Sequence, residues 1–285
     1  MEQIGIAGIG TIGGWILERA AKAGYKPLVY DIDPKKNEWA SEKGFITAPS
    51  LEQLLQDAEI VFFALPDTNA LEEALEGGKG LIYHLREGQI LIDSGTSRPD
   101  VTRRYDRIAA EKGAWFLDSP VTRRGPGGAH IRMTGGREEG YKKAEKLLRA
   151  VSCSTIYAGP AGSGQLLKLL NQMLLASESA VYAEAVQTAA GFGFDPRMLK
   201  DYLHFDIPEP LLSPERNYAD TGQLAFIYKD LGYLSEVCHE KRLSIPLSAT
   251  VHEIFKASAA YGEASWHHSG IRTYYERLNR LGEQE

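Results

Sequence analysis

The segment Gly8-Ile9-Gly10-Thr11-Ile12-Gly13 constrains this chain more than any other. It closes a short apolar run, Gln3 to Ile9, and opens a helical pattern from Thr11 to Ala23. A strand that ends in G-x-G-x-x-G and feeds a helix is the first turn of a dinucleotide-binding βαβ unit. The first glycine permits the tight turn, the second lets a pyrophosphate approach the backbone, and the third allows close helix–strand packing. The phosphates would sit at the helix N-terminus, where free N–H groups and the dipole favour negative charge. Gly8, Gly10, Thr11, Ile12 and Gly13 are therefore candidate cofactor-binding residues. Glycine-rich turns are common in a chain with 29 glycines, so the context carries the argument.

Asp31 supplies part of that context. It ends a second strand, Pro27 to Tyr30, about 20 residues beyond the glycines, where a carboxylate can accept hydrogen bonds from ribose hydroxyls. The same charge would repel a 2′-phosphate, so NAD is expected and NADP is less favoured. Lys35 and Lys36 pull the other way, because either could pair with a 2′-phosphate. Asp31 can also be read as the opening of the turn Asp31-Ile32-Asp33-Pro34, with Asp33 the purer turn residue.

Further short apolar runs, Glu59 to Ala64, Gln89 to Ile92 and Ala114 to Leu117, alternate with helical stretches such as Pro99 to Glu111. That alternation indicates a parallel sheet covered on both faces, a doubly wound Rossmann α/β domain. Near Gly159 the character changes. From Gln165 to Ala190 small and apolar residues recur at helical spacing over a largely apolar helix, expected to be buried between domains or subunits. Asp195-Pro196 reads as a helix start, and helices are expected at about Leu224–Arg242, Pro246–Ala260 and His268–Leu281. The expected organisation is a Rossmann domain over residues 1–161, then an all-helical substrate and oligomerisation domain over 162–285, joined through the long helix.

Composition removes several classes. A formal net charge of -6 lacks the basic footprint of a nucleic-acid binder. The two cysteines, Cys153 and Cys238, have no metal-ligand spacing and read as reduced thiols. No apolar stretch reaches the ~18 residues of a membrane helix. Met1-Glu2-Gln3-Ile4 enters a strand-like run without a basic or apolar leader, so a cytoplasmic enzyme is the expectation.

Several further segments resemble the β-hydroxyacid dehydrogenase family, which includes 3-hydroxyisobutyrate, tartronate-semialdehyde and sulfolactaldehyde reductases. Ala64-Leu65-Pro66 resembles the loop that passes near the cofactor, and Asp93-Ser94-Gly95-Thr96-Ser97-Arg98-Pro99 resembles a D-x-S-T-x-x-P segment. Gly162-Ser163-Gly164-Gln165-Leu166-Leu167-Lys168-Leu169-Leu170-Asn171 matches G-x-G-x-x-x-K-x-x-N, and Lys229-Asp230-Leu231 matches a later K-D-L. The resemblance covers nearly the whole chain. It implies that Leu65, Pro66, Thr96 and Lys229 contact the cofactor, with Thr96 beside the nicotinamide.

The residues carry their own chemistry. Lys168 and Asn171 are three apart, hence on one helical face. A lysine in a largely apolar helix is costly to bury without a role. Burial and a neighbouring nicotinamide cation would both lower its pKa, so it could accept the alcohol proton in oxidation and donate one in reduction. Asn171, with donor and acceptor atoms, would hold the same hydroxyl. The bland alternative is a lysine that extends to solvent from the helix edge. No metal is needed.

The family usually carries D-x-P-V-S-G-G where this chain has Asp118-Ser119-Pro120-Val121-Thr122-Arg123-Arg124-Gly125. Thr122 can replace the serine hydroxyl. Arg123 and Arg124 stand where glycines normally leave room, and the loop on to Gly135-Gly136 is shorter. An arginine could supply a planar charged fork for a carboxylate, sulfonate or phosphonate head group, or both arginines could face solvent or another subunit. His130 and His267-His268 read as structural. Tyr218, Phe226, Tyr228 and Tyr233 read as helical-core residues, and Glu178 and Glu184 as solvated or interfacial.

The expected activity is NAD-dependent hydride transfer between the nicotinamide and a small anionic 3-hydroxy acid or its semialdehyde, in a homodimer or homotetramer. The alternatives are an imine reductase on the same architecture, against which Lys168 counts, and a non-catalytic NAD-binding sensor.

Overall fold

The computed structural model describes residues 3–125, 129–213 and 223–279. Two compact units divide the chain, Met1–Lys168 and Leu169–Glu285.

The first unit alternates strand and helix from its start. β1 (Ile4–Ala7) leads through the glycine turn to α1 (Thr11–Lys22), then β2 (Leu28–Tyr30), α2 (Pro34–Glu42), β3 (Ile46–Thr47) and α3 (Leu51–Asp57). β4 (Ile60–Phe63), α4 (Thr68–Glu76), β5 (Ile90–Asp93), α5 (Pro99–Glu111) and β6 (Trp115–Asp118) complete the parallel part. The strand order β3-β2-β1-β4-β5-β6 reverses between β1 and β4, and dinucleotides bind at such a switch point beyond the carboxyl ends of the strands. Apolar side chains from both faces pack into two clusters: Ile6, Phe62 and Ile92 with α1 on one side, Val61, Phe63 and Leu91 with α5 on the other. Double-sided burial explains why these strands read as continuous apolar runs.

Local caps set the helix starts. Asp33, Ser50 and Asp67 each accept a backbone N–H from the first turn of α2, α3 and α4, and Pro34 occupies the first position of α2. α1 is different: Gly10 caps it with no side-chain bond, and no acidic residue lies in its first turn.

Beyond β6 the sheet departs from the all-parallel expectation. β7 (Val121–Gly125) and β8 (Ala129–Gly135) form an antiparallel pair, α6 (Glu138–Ala150) follows, and β9 (Ser154–Gly159) runs parallel to β8. Asp118 pairs with Gly135 and Val121 with Arg132, so β6 and β7 share one antiparallel register along β8. What the sequence offered as a loop up to Gly135-Gly136 is largely strand, because Arg132 to Thr134 is a buried run that can pair on both edges.

α7 (Ser163–Gly191) spans the division between the units. That division falls after Lys168, seven residues past the expected boundary at 161, because the first turn of α7 is bonded to β5 and β6 of the first unit. The second unit adds α8 (Arg197–Asp201), α9 (Glu209–Leu212), α10 (Gln223–Glu240), α11 (Pro246–Ser258) and α12 (Arg272–Asn279). Its core gathers Leu169, Ala176, Ala183, Leu224, Leu231 and Phe255. The starting turn predicted at Asp195-Pro196 forms, with the Asp195 carboxylate accepting the Arg197 amide at 2.9 Å.

Within this one chain α7 buries a single face. Leu169, Gln172, Ala176, Ala180 and Ala183 face the core, whereas Leu174 and Val181 are more than half exposed. Tyr228 and Tyr233 pack against the helical core, Phe226 is exposed, and Tyr218 lies outside the described residues. No helix among the described residues is long and apolar enough to cross a membrane. Cys153 and Cys238 are both free thiols.

Candidate active site

The candidate cofactor residues of the first unit assemble at the carboxyl ends of four adjacent strands, β2, β1, β4 and β5. Gly8 has a φ of +85°, and a Cβ there would lie 2.7 Å from the Ala64 carbonyl oxygen and 3.1 Å from Leu65 Cδ2. A side chain on Gly13 would collide with the Gly8 carbonyl. These two glycines serve the turn and the packing of α1 on β1. Gly10 serves neither, since a Cβ there would meet nothing within 4 Å. The open ground over Gly10 and the side-chain-free N-terminus of α1 fit the pyrophosphate of a dinucleotide.

Asp31 lies at the end of β2, almost wholly buried. Its Oδ2 accepts the Ile9 amide at 2.8 Å and lies 3.3 Å from Lys36 Nζ, while its Oδ1 accepts the Asp33 amide at 3.0 Å. These bonds give Asp31 the turn role, opening Asp31-Ile32-Asp33-Pro34, and tie the glycine loop to the end of β2. On the next strands, a Cβ on Gly95 would sit 2.6 Å from the Leu65 carbonyl oxygen, so the Leu65-Pro66 and Gly95-Thr96 loops touch. Thr96 is half-buried and Pro66 is exposed.

Beneath these loops lies a buried polar cluster. Asp118 accepts the Gly162 amide at 2.8 Å on Oδ1 and the Gln165 amide at 2.7 Å on Oδ2. Burial and the charge of nearby Asp93 push its carboxyl up to about 6, against the pull of those two N–H groups. Gln165 donates from Nε2 to Asp93 Oδ2 at 3.0 Å and to the Gly95 carbonyl at 3.2 Å, and accepts the Ser97 amide at 3.1 Å. Arg132, fully buried on β8, donates to Ser94 Oγ at 2.8 Å and to the Ser119 carbonyl at 2.6 Å. Its guanidinium is pushed down to about 9 by burial alone. Sequence reasoning gave none of these residues a site role. Asp93 and Asp118 open two of the motifs and Gln165 fills an unspecified position of a third.

Lys168 is half-buried and follows Gln165 by three residues in α7. Asn171 donates to Gln172 Oε1 at 3.1 Å, and Gln172 donates to Asp230 Oδ2 at 2.8 Å. Lys229 Nζ stands 3.2 Å from Asp230 Oδ1. Within the second unit, the structure therefore links Asn171 and Lys229 through the buried Gln172 and Asp230, a connection the sequence did not reveal.

On β7, Thr122 is half-buried and Arg123 is exposed. The side chain of Arg124 lies outside the described residues. His130 packs at a tilt against Trp15 with ring centroids 4.4 Å apart, and burial, then Arg123 and Arg19, lower its pKa. His268 is buried against Ser179 Oγ at 3.0 Å. Both histidines thus have packing roles, while Glu178 and Glu184 are exposed. Among the described residues, no group of three or more His, Cys, Asp or Glu is placed to hold a metal.

Comparison with known proteins gives this geometry its context. Residues 3–159 match the family described as the NAD binding domain of 6-phosphogluconate dehydrogenase, more than half of the chain. Residues 162–275 match the NAD-binding family of NADP-dependent 3-hydroxyisobutyrate dehydrogenase. The 3-hydroxyisobutyrate dehydrogenase of Pseudomonas aeruginosa is 31% identical, over 95% of this chain and 96% of its own. The chain belongs to the β-hydroxyacid dehydrogenase family. As a member, it is an NAD(P)-dependent oxidoreductase acting on hydroxyl groups. L-threonate dehydrogenase of Cupriavidus necator is 25% identical over the whole chain and 99% of its own. The dehydrogenase also shares its fold with the solved Mycobacterium tuberculosis 3-hydroxyisobutyrate dehydrogenase with L-serine. That similarity has a TM-score of 0.81 at 24% identity, covering 96% of this chain and 99% of the other.

Proposed function

We propose that this dehydrogenase moves a hydride between NAD and a small anionic 3-hydroxy acid or its semialdehyde, with Lys168 as the proton-transfer residue. The observation that carries the reading is the seating of Lys168, half-buried one turn beyond an α7 start that Asp118 and Gln165 bond to β5 and β6. An amine carried on an anchored helical turn starts from one backbone position, which favours the repeated geometry that proton transfer in step with hydride transfer requires.

When bound, the nicotinamide supplies the hydride acceptor or donor. Everything else falls to the chain. Gly8, Gly10, Thr11, Ile12 and Gly13 hold the pyrophosphate, and Asp31 receives the ribose hydroxyls and opposes a 2′-phosphate. Leu65, Pro66 and Thr96 line the nicotinamide half, and Lys229 is a further cofactor-binding residue. In oxidation neutral Lys168 accepts the alcohol proton at Nζ; in reduction its ammonium donates one to the same oxygen. Asn171 holds the hydroxyl. Thr122 and Arg123 face the head group, where an exposed guanidinium could bind a carboxylate, sulfonate or phosphonate. Arg124 is the second candidate for that task. We infer a homodimer or homotetramer, on the grounds that Leu174, Val181, Phe192 and Phe194 leave apolar surface exposed.

The test is a steady-state screen with NADH and NADPH against aldehydes bearing carboxylate, sulfonate or phosphonate groups. Turnover with NADH on at least one of them, lost in Lys168→Ala, is the expected result. Reduction of imines instead, or cofactor binding without turnover on any carbonyl, would displace the proposal.

A further inference from the structure

We propose that Gln165 is a positioning residue that holds the nicotinamide loop and the proton-transfer lysine in mutual register; this rests on the role given to Lys168 above. Gln165 is fully buried, and every polar atom of its side chain is used. Its amide grips the chain on both sides of Thr96, at the Gly95 carbonyl and at the Ser97 N–H. It also bonds Asp93, whose Oδ1 accepts the Gly95 amide at 2.9 Å, so the loop is held from two directions. Lys168 lies three residues further along the same helix. A helix is stiff over one turn, so any shift of Gln165 along or about the axis of α7 carries Lys168 with it.

The surroundings leave Gln165 little freedom. Asp118 fixes the backbone at Gly162 and at Gln165 itself. A Cβ on Gly164 would collide with the Met133 carbonyl and lie 2.9 Å from Asp118 Oδ2, and one on Gly135 would lie 2.6 Å from Asp118 Oδ1. Both glycines permit the helix start to press against β6 and β8. A glutamine whose only task was to satisfy the core would need partners, but not partners that bracket Thr96. One side chain therefore connects the two groups whose separation decides whether hydride and proton can move together. Misplacement of reacting groups by about 1 Å can cost about 10²-fold in rate.

Two variants of the full-length enzyme test this. Gln165→Leu keeps the bulk and loses all three bonds. The expected result is a kcat lowered about 10²-fold with the dissociation constant of NADH within about fivefold of wild type. A primary isotope effect, measured with cofactor deuterated at the transferred position, should rise as hydride transfer becomes the slow step. In Gln165→Glu, a protonated glutamic acid can still donate to Asp93 and accept from Ser97, whereas the ionised form repels Asp93. Its kcat relative to wild type should therefore recover as pH falls and drop as pH rises. The charged groups around that position are Asp93 from β5, Arg103 from α5, Asp118 from β6, Arg132 from β8 and Lys168 on α7 itself.

A Gln165→Leu enzyme with wild-type kcat and isotope effect, or a Gln165→Glu profile parallel to wild type, overturns the proposal. If Gln165→Leu does not fold, the Gln165→Glu profile decides alone. Absence of turnover by the wild-type enzyme would count against the hydride-transfer reading instead. The hold on the loop would then be read from the emission of bound NADH, which should differ between wild type and Gln165→Glu; identical spectra would overturn it.

Discussion

Lys36 places its ammonium 3.3 Å from the Asp31 carboxylate, beside the residue expected to reject a 2′-phosphate. Half of the lysine side chain is exposed while Asp31 is buried, so the cation is free to turn toward another anion. Asp31→Ser should move the ratio of kcat/KM for NADPH over NADH upward by at least about tenfold, and adding Lys36→Ala should cancel most of that gain. The same Asp31→Ser change removes acceptors for the Ile9 and Asp33 amides, so a loss of about 1–3 kcal/mol in stability should accompany it. An unchanged cofactor ratio in both variants would show that specificity resides elsewhere.

Removing the amine should separate binding from chemistry. Lys168→Ala is expected to lower kcat by about 10²–10⁴-fold while NADH binding, followed by fluorescence, changes little. Lys168→Arg should not restore it, because a guanidinium stays protonated and cannot take up the alcohol proton.

Arg123 is exposed on β7 and lies outside the buried cluster. If it binds the substrate head group, Arg123→Ala should raise KM by about 10–100-fold with kcat nearly unchanged, as expected for an interaction made equally in ground and transition states. Measuring KM for each active aldehyde checks this, and constancy across all of them would return Arg123 to the solvated surface.

Asp118 gives a pH dependence of definite sign. An aspartate titrates near 3.8 when exposed and near 6 in this fold, so between these values the folded form binds more protons than the unfolded. The stability tied to this group is full below 3.8 and is lost as pH rises through 6, on the order of 3 kcal/mol in total. Asp118→Asn removes the titration. Thermal unfolding at pH 5 and pH 7.5 should therefore show wild type gaining more from the lower pH than the variant does. Equal differences would mean that Asp118 is ionised throughout.

Much of the first unit was legible in the sequence because its signals are local. The glycine turn, Asp31 at the end of β2 and the start of α5 at Pro99 depend on nearby residues, and each falls where its pattern put it. The pairing of β7 with β8 was not legible, since Thr122 and Arg123 carry a polar pattern with no strand-like alternation to point to a partner. The buried cluster was hidden for a related reason. Asp93, Asp118 and Gln165 are spread over about 70 residues, and only folding brings a helix amide to an aspartate on β6. The link from Asn171 to Lys229 spans a similar gap.

α7 runs without a break from Ser163 to Gly191, although the two units part company after Lys168. The border is thus a helical turn and not a linker, and a gene split there would sever i→i−4 bonds on both fragments. Moving the cut upstream to the Gly159–Gly162 bend would spare the helix but take away the amides that Asp118 accepts. Neither half can be borrowed as a ready-made module, and a chimera with a related dehydrogenase would have to exchange β5, β6 and the start of α7 together.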